Sequence, residues 1–307
     1  MAVTTFIPEL WNATLLKKYE SALVYAQASV ANRNYEGEIK AQGDTVHIGS
    51  ISDPGVRSYS AATPLTFDDL TTTDQTLVID QADYFAFKVN DVDKVQARGD
   101  YGGPALERAA YKLRAKADGF AGGLLKAGAA AANKVGRVKV VSGGTQIAGA
   151  GQTTAYELLV SLANKLNKQD VPLEGRYVVV DPDFIAAIAK DDRFIAVDSS
   201  GSSEVLRNGV LYRAAGFDIM MTNTVPTVGG SGADKDDKVI VAGIPGAFTF
   251  ATQIIKTEAG RIEAGFDDYV KGLNVYGAKV TIPEGIATAT VQAYEPGTGA
   301  TTVVVGP

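Results

Sequence analysis

The side chains best suited to nucleophilic, acid–base or metal chemistry are scarce in this chain of 307 residues, which holds one histidine, one tryptophan, three methionines and no cysteine. The lone imidazole, His47, stands between Val46 and Ile48 in an alternating, strand-like pattern. A Ser-His-Asp or Cys-His arrangement would have to be built around it. No Gly-x-Ser-x-Gly elbow is present to raise a nucleophile, so His47 reads as a structural residue. Without cysteine, a thiolate zinc site and a disulfide framework are both excluded. Carboxylates are plentiful, and Asp91/Asp93, Asp191/Asp192, Asp236/Asp237 and Asp267/Asp268 have the closeness that general acid–base work or a divalent cation requires. None follows the spacing of a calcium loop, and helix starts and loops account for such pairs.

Two glycine patterns are equally thin. Gly149-Ala-Gly151 opens like a dinucleotide-binding turn, but Thr154 stands where the third glycine belongs and no downstream acid follows a strand–turn–helix unit. Gly123 and Gly128 have the spacing of a phosphate loop without its Lys-Ser/Thr. Asn12-Ala13-Thr14 is a glycosylation sequon, which matters only in a secreted chain. No catalytic, cofactor-binding or metal-binding residue is therefore expected, and a structural or assembly role is.

Composition points the same way. An apolar fraction of 46% and a charged fraction of 21% belong to an ordinary folded chain large enough for one big domain or two modest ones. No apolar run reaches the roughly 18 residues of a membrane span, and the N-terminus lacks the basic and apolar regions of a signal peptide. A net charge of −6 disfavours a dedicated nucleic-acid binder. The charge is unevenly placed, however. Residues 36–100 carry five bases against twelve acids, whereas residues 101–140 carry eight bases against Glu107 and Asp118 alone. Adjacent blocks of opposite sign fit a chain in which one part docks on another, within one copy or between neighbours.

The elements follow from periodicity. Leu15, Leu16, Tyr19, Leu23 and Ala26 predict a short amphipathic helix within 9–30, after an apolar arm containing Phe6, Ile7 and Trp11 that wants a partner surface. Val46 and Ile48, then 77–79 and 84–89, read as strands flanking a polar excursion of about 25 residues, a long projecting hairpin. Pro104 opens a long helix whose stripe runs through Leu106, Ala110, Leu113, Ala117, Phe120 and Leu124, with Arg108, Lys112, Arg114 and Lys116 off the stripe. Gly119, Gly122 and Gly123 interrupt it, permitting a bend or a close backbone approach. A strand over 135–141 precedes a Gly-rich link. Thr154 to Glu157 forms a capping box for a helix over 155–168, followed by a buried strand over 177–180, a short helix over 182–190 and a strand over 217–221. A compact α/β lobe over about 153–250 results, with residues 229–238 as an exposed loop before strand-like runs through Val280.

In this order the segments resemble the major capsid protein of tailed bacteriophages, the Hong Kong 97-type fold, over nearly the whole length. The resemblance is carried by GDTVHI (43–48), the polar loop, TLVID (76–80), DVDKVQ (91–96), GFDIMMTNTVP (216–226) and GLNVYG (272–277). It implies an α+β chain with an N-terminal arm (1–42), an extended E-loop hairpin with its flanking strands (43–90), a P-domain with a long spine helix (91–152), an axial A-domain (153–250), a return to the P-domain (251–283) and a C-terminal tail (284–307).

The implied function is that of a non-enzymatic shell subunit in the virion. It would be assembled in the host cytoplasm into pentamers and hexamers around double-stranded DNA, with no cofactor and no membrane. A scaffolding protein, a portal and a decoration protein are possible partners, and contact with packaged DNA would be non-specific. The acidic hairpin would lie across a neighbouring subunit, Asp68, Asp69 and Asp74 facing Arg108, Lys112, Arg114 and Lys116, with Phe6, Ile7 and Trp11 as arm contacts. No long, highly charged segment for removal on maturation is present, and Lys40 lies at the hairpin base, away from a cross-linking position at its tip. An encapsulin-type compartment shares the implied fold and would enclose an enzyme cargo. A soluble α/β enzyme using the paired carboxylates is the remaining alternative.

Overall fold

The computed structural model describes residues 24–34, 45–51, 55–58, 67–69, 71–90, 102–141, 152–190, 213–232, 234–262 and 267–292. In chain order its elements are β1 (Thr45–Ile51), β2 (Thr72–Val78), β3 (Gln81–Asn90), α1 (Gly102–Gly128), β4 (Lys134–Val141), β5 (Gln152–Thr154), α2 (Ala155–Asn167), β6 (Tyr177–Val180), α3 (Pro182–Ala189), β7 (Arg213–Ala214), β8 (Phe217–Met221), β9 (Lys238–Gly243), β10 (Phe248–Arg261), β11 (Asp267–Val280) and β12 (Ile286–Val291). They form a two-stranded sheet β1-β2, a three-stranded sheet β10-β11-β3 and a seven-stranded sheet β5-β4-β12-β9-β6-β8-β7.

The large sheet is covered on both faces, and β6 shows how. All four of its residues are buried, which is why a continuous apolar run replaces the usual alternation. Val178 and Val180 pack with Leu158, Leu162, Phe184 and Ile188 of α2 and α3. Tyr177 and Val179 turn the other way, into a cluster with Ala117, Ala121 and Leu125 of α1. Thr154 caps α2 as its spacing predicts, its hydroxyl accepting the Glu157 N–H at 3.2 Å. Ala215 and Gly216 both have positive φ, 50° and 84°, as a tight two-residue turn between antiparallel β7 and β8 requires.

α1 links the sheets. Its buried line follows Leu106, Ala110, Leu113 and Ala117 as expected, then passes through Ala121 and Leu125 instead of Phe120 and Leu124, which are half-buried. The helix changes partners along its length. Its first half lies on β3, where Phe85 packs against Leu106 and Ala110, and its second half lies against the large sheet and residues 24–31. The buried face rotates accordingly. Gly122 is one close approach: a Cβ there would lie 3.1 Å from the Tyr25 ring and 3.3 Å from Pro226.

Three further expectations are corrected. Residues 24–30 form successive turns tied by Gln27 N–H to the Val24 carbonyl and Ala31 N–H to the Gln27 carbonyl, so the helix expected over 9–30 does not extend into them; its remainder lies outside the described residues. Residues 286–291, read as part of a C-terminal tail over 284–307, are β12, parallel to β4 on one side and antiparallel to β9 on the other. With β4, from the segment 91–152, it completes the sheet of the lobe expected over 153–250. The loop over 229–238 is largely exposed, but Asp237 near its end is 2% exposed because Arg137 of β4 reaches it through two hydrogen bonds.

Candidate assembly surfaces

The hairpin is a sheet of its own. Val46 stands opposite Leu77 in the β1–β2 ladder, and both bury with Ile79 against Ala251 and Val275 of the three-stranded sheet. Lys279 Nζ donates to the Thr76 carbonyl at 2.9 Å and fastens the root from outside. Gly277 of GLNVYG makes the approach possible, since a Cβ there would fall on the Val78 carbonyl oxygen. Gly272 instead leaves room for the Phe85 ring of β3 within the three-stranded sheet.

At the far end, residues 55–58 lie beside 67–69. Asp68 accepts the Gly55 N–H at 3.1 Å and pairs with Arg57 at 2.6 Å. On either side of this pair, Val56 and Phe67 are 99% and 91% exposed. Sequence reasoning singled out the acids here and missed these two apolar side chains, whose signal was their isolation in a polar stretch. Asp69 is exposed. Asp74 hydrogen-bonds His47 Nδ1 at 2.6 Å across the ladder, which gives the single histidine a structural partner.

The four basic residues of α1 divide. Lys116 pairs with Asp83 of β3, whose other oxygen accepts the Tyr276 hydroxyl at 2.7 Å. This ion pair binds α1 to the three-stranded sheet within one chain. The Arg114 guanidinium lies 4.3 Å over the Tyr111 ring, a cation–π contact. Arg108 and Lys112 are exposed, and among the described residues neither is ion-paired. The contacts proposed from sequence between these bases and Asp68, Asp69 or Asp74 are not made inside one chain. Phe6, Ile7 and Trp11 lie outside the described residues.

Two of the four carboxylate pairs lie within the described residues, and each has a member in a structural ion pair. Asp237 is held by Arg137, and Asp267 by Lys88 at 3.1 Å; Asp91/Asp93 and Asp191/Asp192 lie outside the described residues. Among the described residues no group of three His, Cys, Asp or Glu side chains could hold a metal ion, and no helix is long and apolar enough to cross a membrane. A cavity of about 250 Å³ is lined by Asp181, Asp183, Asp236 and Lys238 beside the N-terminus of α3. Burial raises the Asp181 carboxyl above its ordinary range, and the lining residues include no imidazole or thiol.

The described fold combines a separate hairpin, a long linking helix and an α/β lobe. The family model for phage capsid proteins matches residues 73–289. Among solved structures, a chain from Mycobacterium phage Che8 is 30% identical with a TM-score of 0.68, covering 94% of this chain and 98% of that one. The capsid of cyanophage P-SCSP1u matches at 17% identity and TM-score 0.68 over 89% of each chain. The capsid of Ralstonia phage GP4 matches at 14% identity and TM-score 0.65, over 89% of this chain and 90% of that one. No curated protein sequence matches. The chain belongs to the phage capsid protein family, with the Hong Kong 97-type fold, and is a structural subunit of a phage head.

Proposed function

We propose that this subunit assembles through its hairpin into pentamers and hexamers that close an icosahedral shell around double-stranded DNA. The observation that carries this reading is the pair Val56 and Phe67, bare to solvent at the far end of the hairpin. Two nearly fully exposed apolar side chains beside an ordered ion pair are costly in a monomer and gain on burial, at about 25 cal/mol per Å². The neighbouring copy supplies the cover. Arg108 and Lys112, unpaired among the described residues, are the bases best placed to receive Asp69 and its neighbours, while Lys116 already serves its own chain through Asp83. Domain boundaries follow the segments described above, with β4 and β12 assigned to the sheet of the axial lobe. Phe6, Ile7 and Trp11 are arm contacts to a neighbour. Assembly takes place in the host cytoplasm, with a scaffolding protein, a portal and a decoration protein as possible partners. Contact with the packaged DNA is non-specific, since a chain of net charge −6 offers no extended basic surface of a dedicated nucleic-acid binder.

Size-exclusion light scattering followed by negative-stain imaging of the heaviest fraction tests the reading, on the chain expressed alone and with the other head proteins of its phage. Closed particles of uniform diameter that carry nucleic acid when packaged are expected. A compact monomer under both conditions, or shells that enclose only protein cargo, overturns it.

A further inference from the structure

Asp118 takes no part in the assembly contacts, and its setting is unusual. It lies on α1, is 2% exposed, and stands on the face covered by residues 24–31. Its Oδ2 accepts the Val24 N–H at 2.9 Å, and the nearby N–H groups of Tyr25 and Ala26 favour the ionised form more weakly. Its Oδ1 is buried without a hydrogen-bond partner, as is the Tyr25 hydroxyl.

We propose that Asp118 and the turn over residues 24–31 form a proton-tightened latch, in which the N-terminal segment closes more firmly over α1 when the carboxyl is protonated and loosens when it ionises. The geometry sets the direction. An ionised Oδ1 sealed from water without a donor carries charge that nothing solvates, and a proton removes that charge. Uncovering the carboxylate returns it to water. The charged and titratable neighbours are few. Arg114, on the same helix, draws the pKa down, as do the three amides; burial outweighs them and pushes it from 3.8 up to about 6. From the covering segment comes Tyr25, which in turn faces Tyr177 and Asp181 at β6. Burial raises both tyrosines, keeping their hydroxyls neutral throughout this range.

The covered carboxyl titrates above the uncovered one, so closing takes up a proton between the two values. Closure therefore strengthens as pH falls from about 6 toward 4 and is weakest above that window. A gap of about two units corresponds to a closing constant on the order of 100-fold larger at the acid end.

The latch stands on contacts within one chain and does not depend on the shell reading. Hydrogen exchange by mass spectrometry on the full chain, corrected for intrinsic rates, tests it on peptides spanning residues 24–31 at pH 5 and pH 7.5. Wild-type protection is expected to be tens-fold to 100-fold higher at pH 5. Asp118→Asn, which has no charge to lose, is expected to show equal protection at both pH values. Arg114→Gln removes the cation facing the carboxylate and is expected to move the midpoint to higher pH. Wild-type protection that is the same at both pH values, an Asp118→Asn chain that keeps the wild-type pH dependence, or an Arg114→Gln midpoint that stays or falls overturns the latch.

Discussion

Asn133 and Ile286, 153 positions apart in sequence, are joined by a buried hydrogen bond of 3.1 Å from Asn133 Nδ2 to the Ile286 carbonyl. The same amide donates to the Glu284 carbonyl at 2.7 Å. Together the two bonds seat the first residue of β12 in the large sheet, beside the end of α1. Asn133→Leu keeps the volume and removes the donors, leaving two carbonyls without partners. A loss of about 2–4 kcal/mol is expected, read as a lower midpoint in chemical denaturation of the unassembled chain. An unchanged midpoint would show that β12 is seated by strand pairing alone.

Arg137 and Asp237 join β4 to the loop before β9, with the carboxylate 2% exposed and the guanidinium 46% exposed at its side chain. Arg137→Ala removes the cation that faces a buried carboxylate, and a lower midpoint in chemical denaturation is expected, moderated because the arginine side is open to water. The double variant Arg137→Ala with Asp237→Asn removes the stranded charge and is expected to recover part of that loss. A fully additive cycle would sink the pairing.

Gly277 lets the hairpin root cross β11 at the Val78 carbonyl. Gly277→Ala places a methyl group against backbone that has little room to move, at an expected cost of about 1–3 kcal/mol. The hairpin is also displaced, so assembly is expected to fall more than stability does. Thermal melting and shell yield, compared on one preparation, separate the two effects; wild-type values for both would count against the close approach.

Asp68 and Asp69 stand at the hairpin end, where the Arg57 pair is half exposed and contributes at most about 1 kcal/mol. Reversing both to Lys therefore leaves the monomer folded. Shell formation is expected to fail, because the variant brings positive charge toward Arg108 and Lys112 of a neighbour. Far-ultraviolet circular dichroism checks the fold and light scattering checks the shells. Normal shells would dismiss the charge contact and leave Val56 and Phe67 as the hairpin's contribution.

Much of the molecule was legible in the residue order. The period of α1 through Ala117, the Thr154 cap, the continuous apolar run of β6 and the alternation of Val46 and Ile48 are local signals, since each depends on neighbours within a few positions. The absence of cysteine and the single histidine were legible as well, because composition needs no folding to interpret. What the tertiary structure decided lies at long range. The segment that holds β12 read as a Gly- and Thr-rich tail, either an added strand or a loose end, and only the packing of α2 against Ala287 and Ala289 shows why small residues suit a central strand there. Phe120 and Leu124 gave way to Ala121 and Leu125 because α1 changes partners midway. Lys116 was one of four equivalent bases until Asp83, 33 positions away, claimed it. Asp118 looked like one of two acids in a basic helix until the turn over residues 24–31 closed above it. Periodicity records which way a side chain faces; which other segment it meets depends on contacts between distant parts of the chain, and no local pattern encodes those.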